Sequence, residues 1–335
     1  MLKVSTFLIL SLMIISSKND SPAENPDYMP HDEHCKCTYS DANCDCSCMN
    51  LGKSNTLPPF PSNVASCSHF SFEMEDGNFE SVPPNLFSFL GSVKTFFFDA
   101  VDMHFKNYLP EERDLSPFRG VTFLQEAYVV LLKVKVTDSW NWYSLSELRP
   151  GPGARAAVQI MKTDLPELTT DFSEVCAGSV TTVRMNQCRI KKLGERVFAG
   201  HKNLTDVNLS KNMLHEIKRS HFPKPALKLK QIVLSKNWLS TLPECMFSGM
   251  PALETVDLSE NPISTLDEGT FSPSFSQVLF IGIQNFRLNC DCHAKWLKDD
   301  SVVTGKNSME AATCKSVNNM ALRKFSELSV NDLQC

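Results

Sequence analysis

The sequence has little glycine, little net charge and no long apolar run after its first residues. Only 13 glycines occur in 335 residues, which argues against the glycine-rich loops that cradle phosphates. Lys plus Arg number 33 against 38 Asp plus Glu, a formal charge of −5. A nucleic-acid binder needs a basic face, so that class is disfavoured. Beyond the N-terminal segment no stretch approaches the roughly 18 apolar residues of a membrane helix. The longest, around Val129–Leu132 and Val278–Ile283, have strand length. The sequence up to Cys335 carries no hydrophobic tail of the lipid-anchor type, so no anchor is expected. Catalytic signatures are missing too: there is no GxSxG, and His215-Glu216 lacks the second histidine of HExxH. The segment Gly151 to Ala156 matches GxGxxA by letter, but Pro150 precedes it and a strand pattern at Val158–Ile160 follows. That motif requires a strand before it and a helix after it, so the segment reads as a turn. No catalytic, cofactor-binding or metal-ligating residue is therefore nominated, and a non-enzymatic chain without cofactor is expected.

What is present begins with cysteine and phenylalanine, 13 and 22 residues. An odd cysteine count cannot be fully paired within one chain. Lys3 followed by the apolar run Val4 to Ile15 and by Ser16-Ser17 has the layout of a secretory signal peptide over residues 1–17. The mature chain is thus expected to be secreted, soluble and in a space that permits disulfides. Residues 18–34 read as a flexible leader.

An internal period organises the rest. From Leu253 the chain reads LETVDLSENPISTLDEGTF, with apolar positions at Leu253, Val256, Leu258, Ile263, Leu266 and Phe271 around Asn261. The template recurs from Leu229 with Asn237 and Phe247, from Leu204 with Asn212 and Phe222, and from Val180 with Cys188 and Phe198. These starts are 24, 25 and 24 residues apart. A weaker unit begins at Arg155, with Val158, Ile160, Thr163 and Phe172; another is read from Leu131, with Val134, Val136 and Ser139. Val93, Phe96 and Phe98 suggest one more strand, separated from Leu131 by an insertion on the convex side, and Val278, Ile281 and Ile283 a last one. Alternation such as Val256-Asp257-Leu258 makes a short strand with apolar residues inward. The Asn then points inward to bond backbone groups of the adjacent turn, while the phenylalanines fill the convex side.

This pattern resembles the extracellular leucine-rich repeat family, LxxLxLxxNxLxxL followed by Phe. The resemblance implies an α/β solenoid of about eight coils over 93–289, with short parallel strands on the concave face and an irregular, 3-10 convex side. Disulfide caps would close its ends, at 35–92 with a first irregular coil and at 290–335. The C-terminal cysteines look like the family's flanking cap, which implies pairing of Cys290 with Cys314 and of Cys292 with Cys335. Here Asn285 stands two residues after Ile283, one earlier than the family pattern. Upstream, Cys35, Cys37, Cys44, Cys46, Cys48 and Cys67 resemble an elaborated N-terminal cap whose pairing stays open. His31 and His34 beside these cysteines raise a zinc alternative, but the steps are C-x-C rather than the wider spacing zinc uses. Cys176, Cys188 and Cys245 remain as free thiols.

Outward strand positions give the candidate surface. Lys133, Lys135 and Arg184, then Asp206 and Asp257, make a strip that changes from basic to acidic, which suits a protein partner better than a polyanion. Trp142 is the aromatic expected to be exposed as an anchor, and Trp140 is assigned to the core. Sequons at Asn203 and Asn208 are candidate glycosylation sites, the latter on the concave face. The expected role is binding an extracellular or matrix protein, without nucleic acid or membrane span. The chain is also similar to secreted arthropod proteins related to the non-catalytic subunit of the Oplophorus luciferase, which implies a stabilising subunit of a secreted enzyme. Recognition of microbial surfaces is a third possibility.

Overall fold

Each coil contributes a stretch in which apolar and polar residues alternate, and these stretches pair in parallel. In the computed structural model the inward column runs Cys46, Phe72, Phe98, Val129, Val158, Val183, Val207, Ile232, Val256 and Ile281, each opposite the next. All ten are buried. The structure describes residues 27–28, 34–52, 56–110, 112–265, 267–271, 278, 280–283, 287–298, 313–315 and 323–333. The expected signal peptide, His31, Asn285 and Cys335 lie outside them. No helix among the described residues is long and apolar enough to cross a membrane.

After eight of the concave strands the chain turns through a non-glycine residue with positive φ: Asp76, Asp102, Lys133, Lys162, Gln187, Lys211, Lys236 and Glu260. These residues are mostly hydrophilic and sit one place before the inward column that Asn212, Asn237 and Asn261 occupy. A left-handed residue costs energy, and the buried asparagine that follows offsets it. Asn237 Nδ2 donates to the Leu209 and Leu234 carbonyls, both at 2.9 Å, and its Oδ1 accepts from Leu214 N–H at 3.0 Å. Thr163 does part of this, accepting from Val134 N–H at 3.1 Å and donating to the Met161 carbonyl at 3.0 Å. The Cys188 thiol donates to the Ile160 carbonyl at 3.2 Å.

The N-terminal half departs from the expected register. The strands there are His69–Glu75, Ser92–Val101 and Thr122–Leu132. The strand at Val93 and the next one belong to consecutive coils, Thr95 pairing directly with Glu126, so the extra length lies within the coil that joins them. The unit read from Leu131 actually starts at Glu126, five residues earlier, which puts Val134 rather than Ser139 in the asparagine column. Ser139 Oγ instead donates to Asn107 Oδ1 at 2.7 Å. These coils are long, 31 residues from Thr95 to Glu126 and 29 from Glu126 to Arg155. Their extra length builds a second small parallel sheet, Asn78–Phe79, His104–Asn107 and Lys135–Ser139. With Asn43–Cys48 as its first member, the parallel ladder has ten strands among the described residues, against the eight coils expected.

The convex side is built of turns and 3-10 segments such as Tyr143–Glu147 and Thr170–Gly178. Phe172, Phe198, Phe222 and Phe247 are buried there as expected. Trp142 continues the stack, its ring edge-on to Phe172 at 5.2 Å. Beneath this layer His201 is fully buried; its Nε2 lies 3.0 Å from the Phe172 carbonyl, while Nδ1 has no partner. Desolvation lowers its pKa from 6.5 to about 4. A depressed folded-state value means the stabilisation is complete above pH 6.5 and is lost as pH falls towards 4. By linkage this amounts to about 3 kcal/mol. In urea melts the stability of the wild-type chain relative to His201→Gln, which retains a donor for Phe172, should fall by that amount between pH 7 and 4, the opposing contribution of Asp99 and the parallel one of His221 being common to both proteins.

The N-terminal end is closed by the antiparallel hairpin Cys35–Ser40 and Asn43–Cys48. C-x-C spacing puts alternate sulfurs on one face of each strand, and Cys35–Cys48 and Cys37–Cys46 bridge directly opposed positions. Cys44–Cys67 ties the hairpin to the turn before the next strand. With the sulfurs committed to one another, none is left to hold zinc. At the other end Cys290 pairs with Cys314, and Cys292 is disulfide-bonded; its expected partner Cys335 is outside the described residues. Cys176, Cys188 and Cys245 are free thiols, the first two buried.

Candidate binding face

The concave sheet is the surface on which side chains from many coils converge. Its outward residues form rows across the strands. One row runs Asp45, Ser71, Phe97, Tyr128, Ala157, Thr182, Asp206, Gln231 and Thr255. The next runs Ser47, Glu73, Asp99, Val130, Gln159, Arg184, Asn208, Val233 and Asp257.

The first row changes size abruptly. Phe97 and Tyr128 stack in parallel, 4.7 Å apart and 5° from coplanar orientation, and then Ala157 and Thr182 follow. That step from aromatic to small side chains opens a hollow of about 720 Å³ walled by Tyr128. Its rim is formed by the turns that precede the strands, with Gly151, Gly153, Gly178, Asn203, Thr205 and Lys228. Gly153 and Gly178 have positive φ, 78° and 81°, a conformation in which a side chain would be strained. The GxGxxA segment is thus an inter-coil turn that forms part of a rim.

Charge is distributed unevenly around the hollow. Arg155 and Arg184 line it, and neither is engaged in an ion pair or side-chain hydrogen bond among the described residues. The carboxylates that share the hollow are occupied locally: Tyr128 Oη donates to Glu126 at 3.2 Å and Thr205 Oγ1 donates to Asp206 at 2.6 Å. Burial first, then the Glu126 charge and hydrogen bond, push the Tyr128 hydroxyl up to about 12. Lys228 Nζ donates to Asn203 Oδ1 at 2.7 Å. On the neighbouring coil, Asp99 is raised to about 7, by desolvation and then by Glu73 beside it.

The structure brings together some of the expected residues and disperses others. Arg184 and Asp206 line the hollow, as does the sequon residue Asn203, whose Nδ2 donates to the Gly178 carbonyl at 3.1 Å. Asn208 lies on the concave face, its Oδ1 accepting from Asn186 Nδ2 and Ser210 N–H. Asp257 is also on that face, two strands beyond Asp206, and accepts from Ser259 N–H at 3.0 Å. Lys133, Lys135 and Trp142 are not on it. Lys133 forms the turn after its strand and pairs with Asp102 at 2.9 Å. Lys135 belongs to the second small sheet. Trp142 is 0% exposed in the core, whereas Trp140 is partly buried and donates to the Asp164 carbonyl at 3.0 Å. All three displacements follow from the five-residue slip of the unit read at Leu131. The outward residues that slip concealed are Glu126, Tyr128 and Val130. The sequence held a signal for them: placing Lys133 at the pre-asparagine turn, as with Lys162, Lys211 and Lys236, aligns Val129 and Leu131 with Val158 and Ile160. The strip therefore runs acidic, then basic, then acidic, rather than from basic to acidic.

These features define the class: a disulfide-closed leucine-rich repeat solenoid, α/β with few helices, whose open sheet is the kind of concave surface such solenoids use for binding proteins. Residues 171–290 match the family described as BspA type Leucine rich repeat region, in six copies. Trophoblast glycoprotein of Macaca fascicularis is 31% identical over 134 residues, 36% of this chain and 31% of that protein. Chaoptin of Drosophila melanogaster is 24% identical over 132 residues, 39% of this chain and 10% of that protein. The chain thus spans a third or less of the length of these relatives. Among solved structures, human trophoblast glycoprotein superposes with a TM-score of 0.53 at 15% identity, covering 92% of this chain and 100% of that one. A chain of the octameric complex of Latrophilin 3, Unc5D and FLRT2 (LRR) gives 0.52 at 16% identity, covering 86% and 88%. At these identities the likeness is one of fold.

Proposed function

We propose that the chain is a secreted, non-enzymatic module that binds an extracellular or matrix protein through the hollow on its concave face. The observation that carries this reading is the pair of unengaged guanidinium groups, Arg155 and Arg184, lining a hollow walled by Tyr128. Charged groups without internal partners, beside an aromatic wall and a small-residue floor, suit a protruding partner side chain. Disulfides at both ends fit an oxidising compartment. The printed descriptions of the structural neighbours add support by analogy: FLRT2 (LRR) is part of a multi-protein complex. A glycan at Asn203 would stand at the rim of the hollow and limit what can enter it.

The test is recovery of a partner from extracellular fluid with the wild-type chain and with Thr182→Trp, which fills the hollow, or Arg184→Glu. Both variants are expected to lose a partner that the convex-side control Glu195→Gln retains. A single stoichiometric enzyme among the recovered proteins would favour the stabilising-subunit role, and a microbial surface component the recognition role. A partner recovered equally by all four proteins would remove the hollow from the account.

A further inference from the structure

The first half of the concave sheet has a chemistry of its own. The strands Asn43–Cys48, His69–Glu75, Ser92–Val101 and Thr122–Leu132 place Asp45, Glu73, Glu75, Asp99 and Glu126 on the outward face. The one lysine or arginine on those four strands is Lys94, exposed at the bulge near the start of Ser92–Val101, and Arg155 on the following strand lies opposite Glu126. None of the five carboxylates forms an ion pair among the described residues. Asp45 accepts from Ser71 Oγ at 2.5 Å and Glu126 from Tyr128 Oη, whereas Asp99 Oδ1 is buried without any partner. In their midst lies the flat step made by Phe97 and Tyr128. Each ring is half-buried, so part of its surface remains open.

Carboxylates repel one another at this density, and the cations within reach, Arg155 opposite Glu126 and Lys133 near Glu75, leave Glu73 and Asp99 without an ion pair among the described residues. A stacked aromatic pair offers negative ring faces to a cation. A planar guanidinium satisfies both demands: it stacks on aromatic rings and donates in the plane to carboxylates on either side, which a spherical ammonium does less well. We propose that this half of the sheet receives an arginine side chain of a protein partner, seated on the Phe97–Tyr128 step with the Glu73 and Glu126 carboxylates flanking it. A partner crossing from this step to the hollow meets Arg155 and Arg184 next, so its arginine would be followed by an acidic group. The proposal rests on the reading of the concave sheet as a protein-binding face, but its site is separate from the floor of the hollow.

The experiment uses tetra-arginine and tetra-lysine peptides as probes, titrated into the full chain at low ionic strength and followed by calorimetry. Tetra-arginine is expected to bind about threefold to tenfold more tightly than tetra-lysine. Phe97→Leu should erase that preference while leaving tetra-lysine binding unchanged. Glu73→Gln should weaken both peptides severalfold, and Asp257→Asn, at the far end of the sheet, neither. Equal binding of the two peptides, indifference to Phe97→Leu, or no binding at all would overturn the proposal. Because these probes are read through Phe97 and Glu73, which do not line the hollow, such a failure would leave the partner-recovery experiment with Thr182→Trp to judge the hollow by itself.

Discussion

Asn212→Ala is expected to destabilise the chain by about 3–5 kcal/mol, a large part of the net stability of an ordinary domain. Asn212 sits in the middle of the buried column, where its Oδ1 accepts from Cys188 N–H at 2.9 Å and Ile190 N–H at 3.2 Å. Its Nδ2 donates to the carbonyls of Met185 at 2.7 Å and Leu209 at 2.8 Å. Removing one side chain therefore deprives four backbone groups from two coils, each costing roughly 1–3 kcal/mol when left buried and unbonded. Water entering the cavity would recover part of this, which sets the lower end of the range. Since each coil stacks only on its neighbours, the loss should appear as weakened coupling between the coils on either side. Denaturant melts would then show a lower midpoint, and a broader transition if the array divides in two. A change below about 1 kcal/mol would mean that the column does not hold the coils together as described.

Trp142→Ala is expected to cost a similar amount, about 3–5 kcal/mol, as for other buried large-to-small changes. The indole packs edge-on against Phe172, lies 5.7 Å from Trp140 and 5.4 Å from Tyr108, and has no exposed surface. It fills the convex position that phenylalanine takes in later coils. The expectation from the sequence was the reverse, an exposed anchor whose removal would change stability by about 0.5 kcal/mol or less. The two assignments thus differ by several kcal/mol in one melt. Trp142→Phe, matching the later coils, should restore most of the stability because it keeps an aromatic ring against Phe172.

The C-terminal half of the solenoid was legible because its coils have uniform length. Between Val180 and Leu253 the spacing is 24 or 25 residues, so leucine, asparagine and phenylalanine positions recur in step and each strand can be placed from its neighbours. The Cys290–Cys314 bridge was implied by the same resemblance and is present. Further upstream the period stretches and the residues change. Phe70, Phe72, Phe96 and Phe98 take inward positions that aliphatic residues hold later, and Met103 and Val134 occupy the asparagine column. Without asparagine to mark the turn, alternation alone leaves the strand free to slide along its own pattern. Val134 and Val136 alternate as well as Val129 and Leu131 do, and a slip of this kind reassigns every outward side chain. That is why Arg184 and Asp206 were placed correctly while Lys133, Lys135 and Trp142 were not. The hollow was beyond reach for a different reason. It arises from the contrast between Tyr128 and Ala157 on adjacent strands 29 residues apart, which becomes visible only when the register is known.

The measurement that tests the central claim most directly is the affinity of the recovered partner for wild-type chain and for Thr182→Trp, with folding of both checked by their melts. Thr182 is outward on the sheet and lines the hollow, so the indole should occupy the space without disturbing the core. If the hollow is the binding site, affinity should fall by about a hundredfold, equivalent to about 3 kcal/mol, at unchanged stability. Equal affinity of the two proteins would show that the partner binds elsewhere on the solenoid.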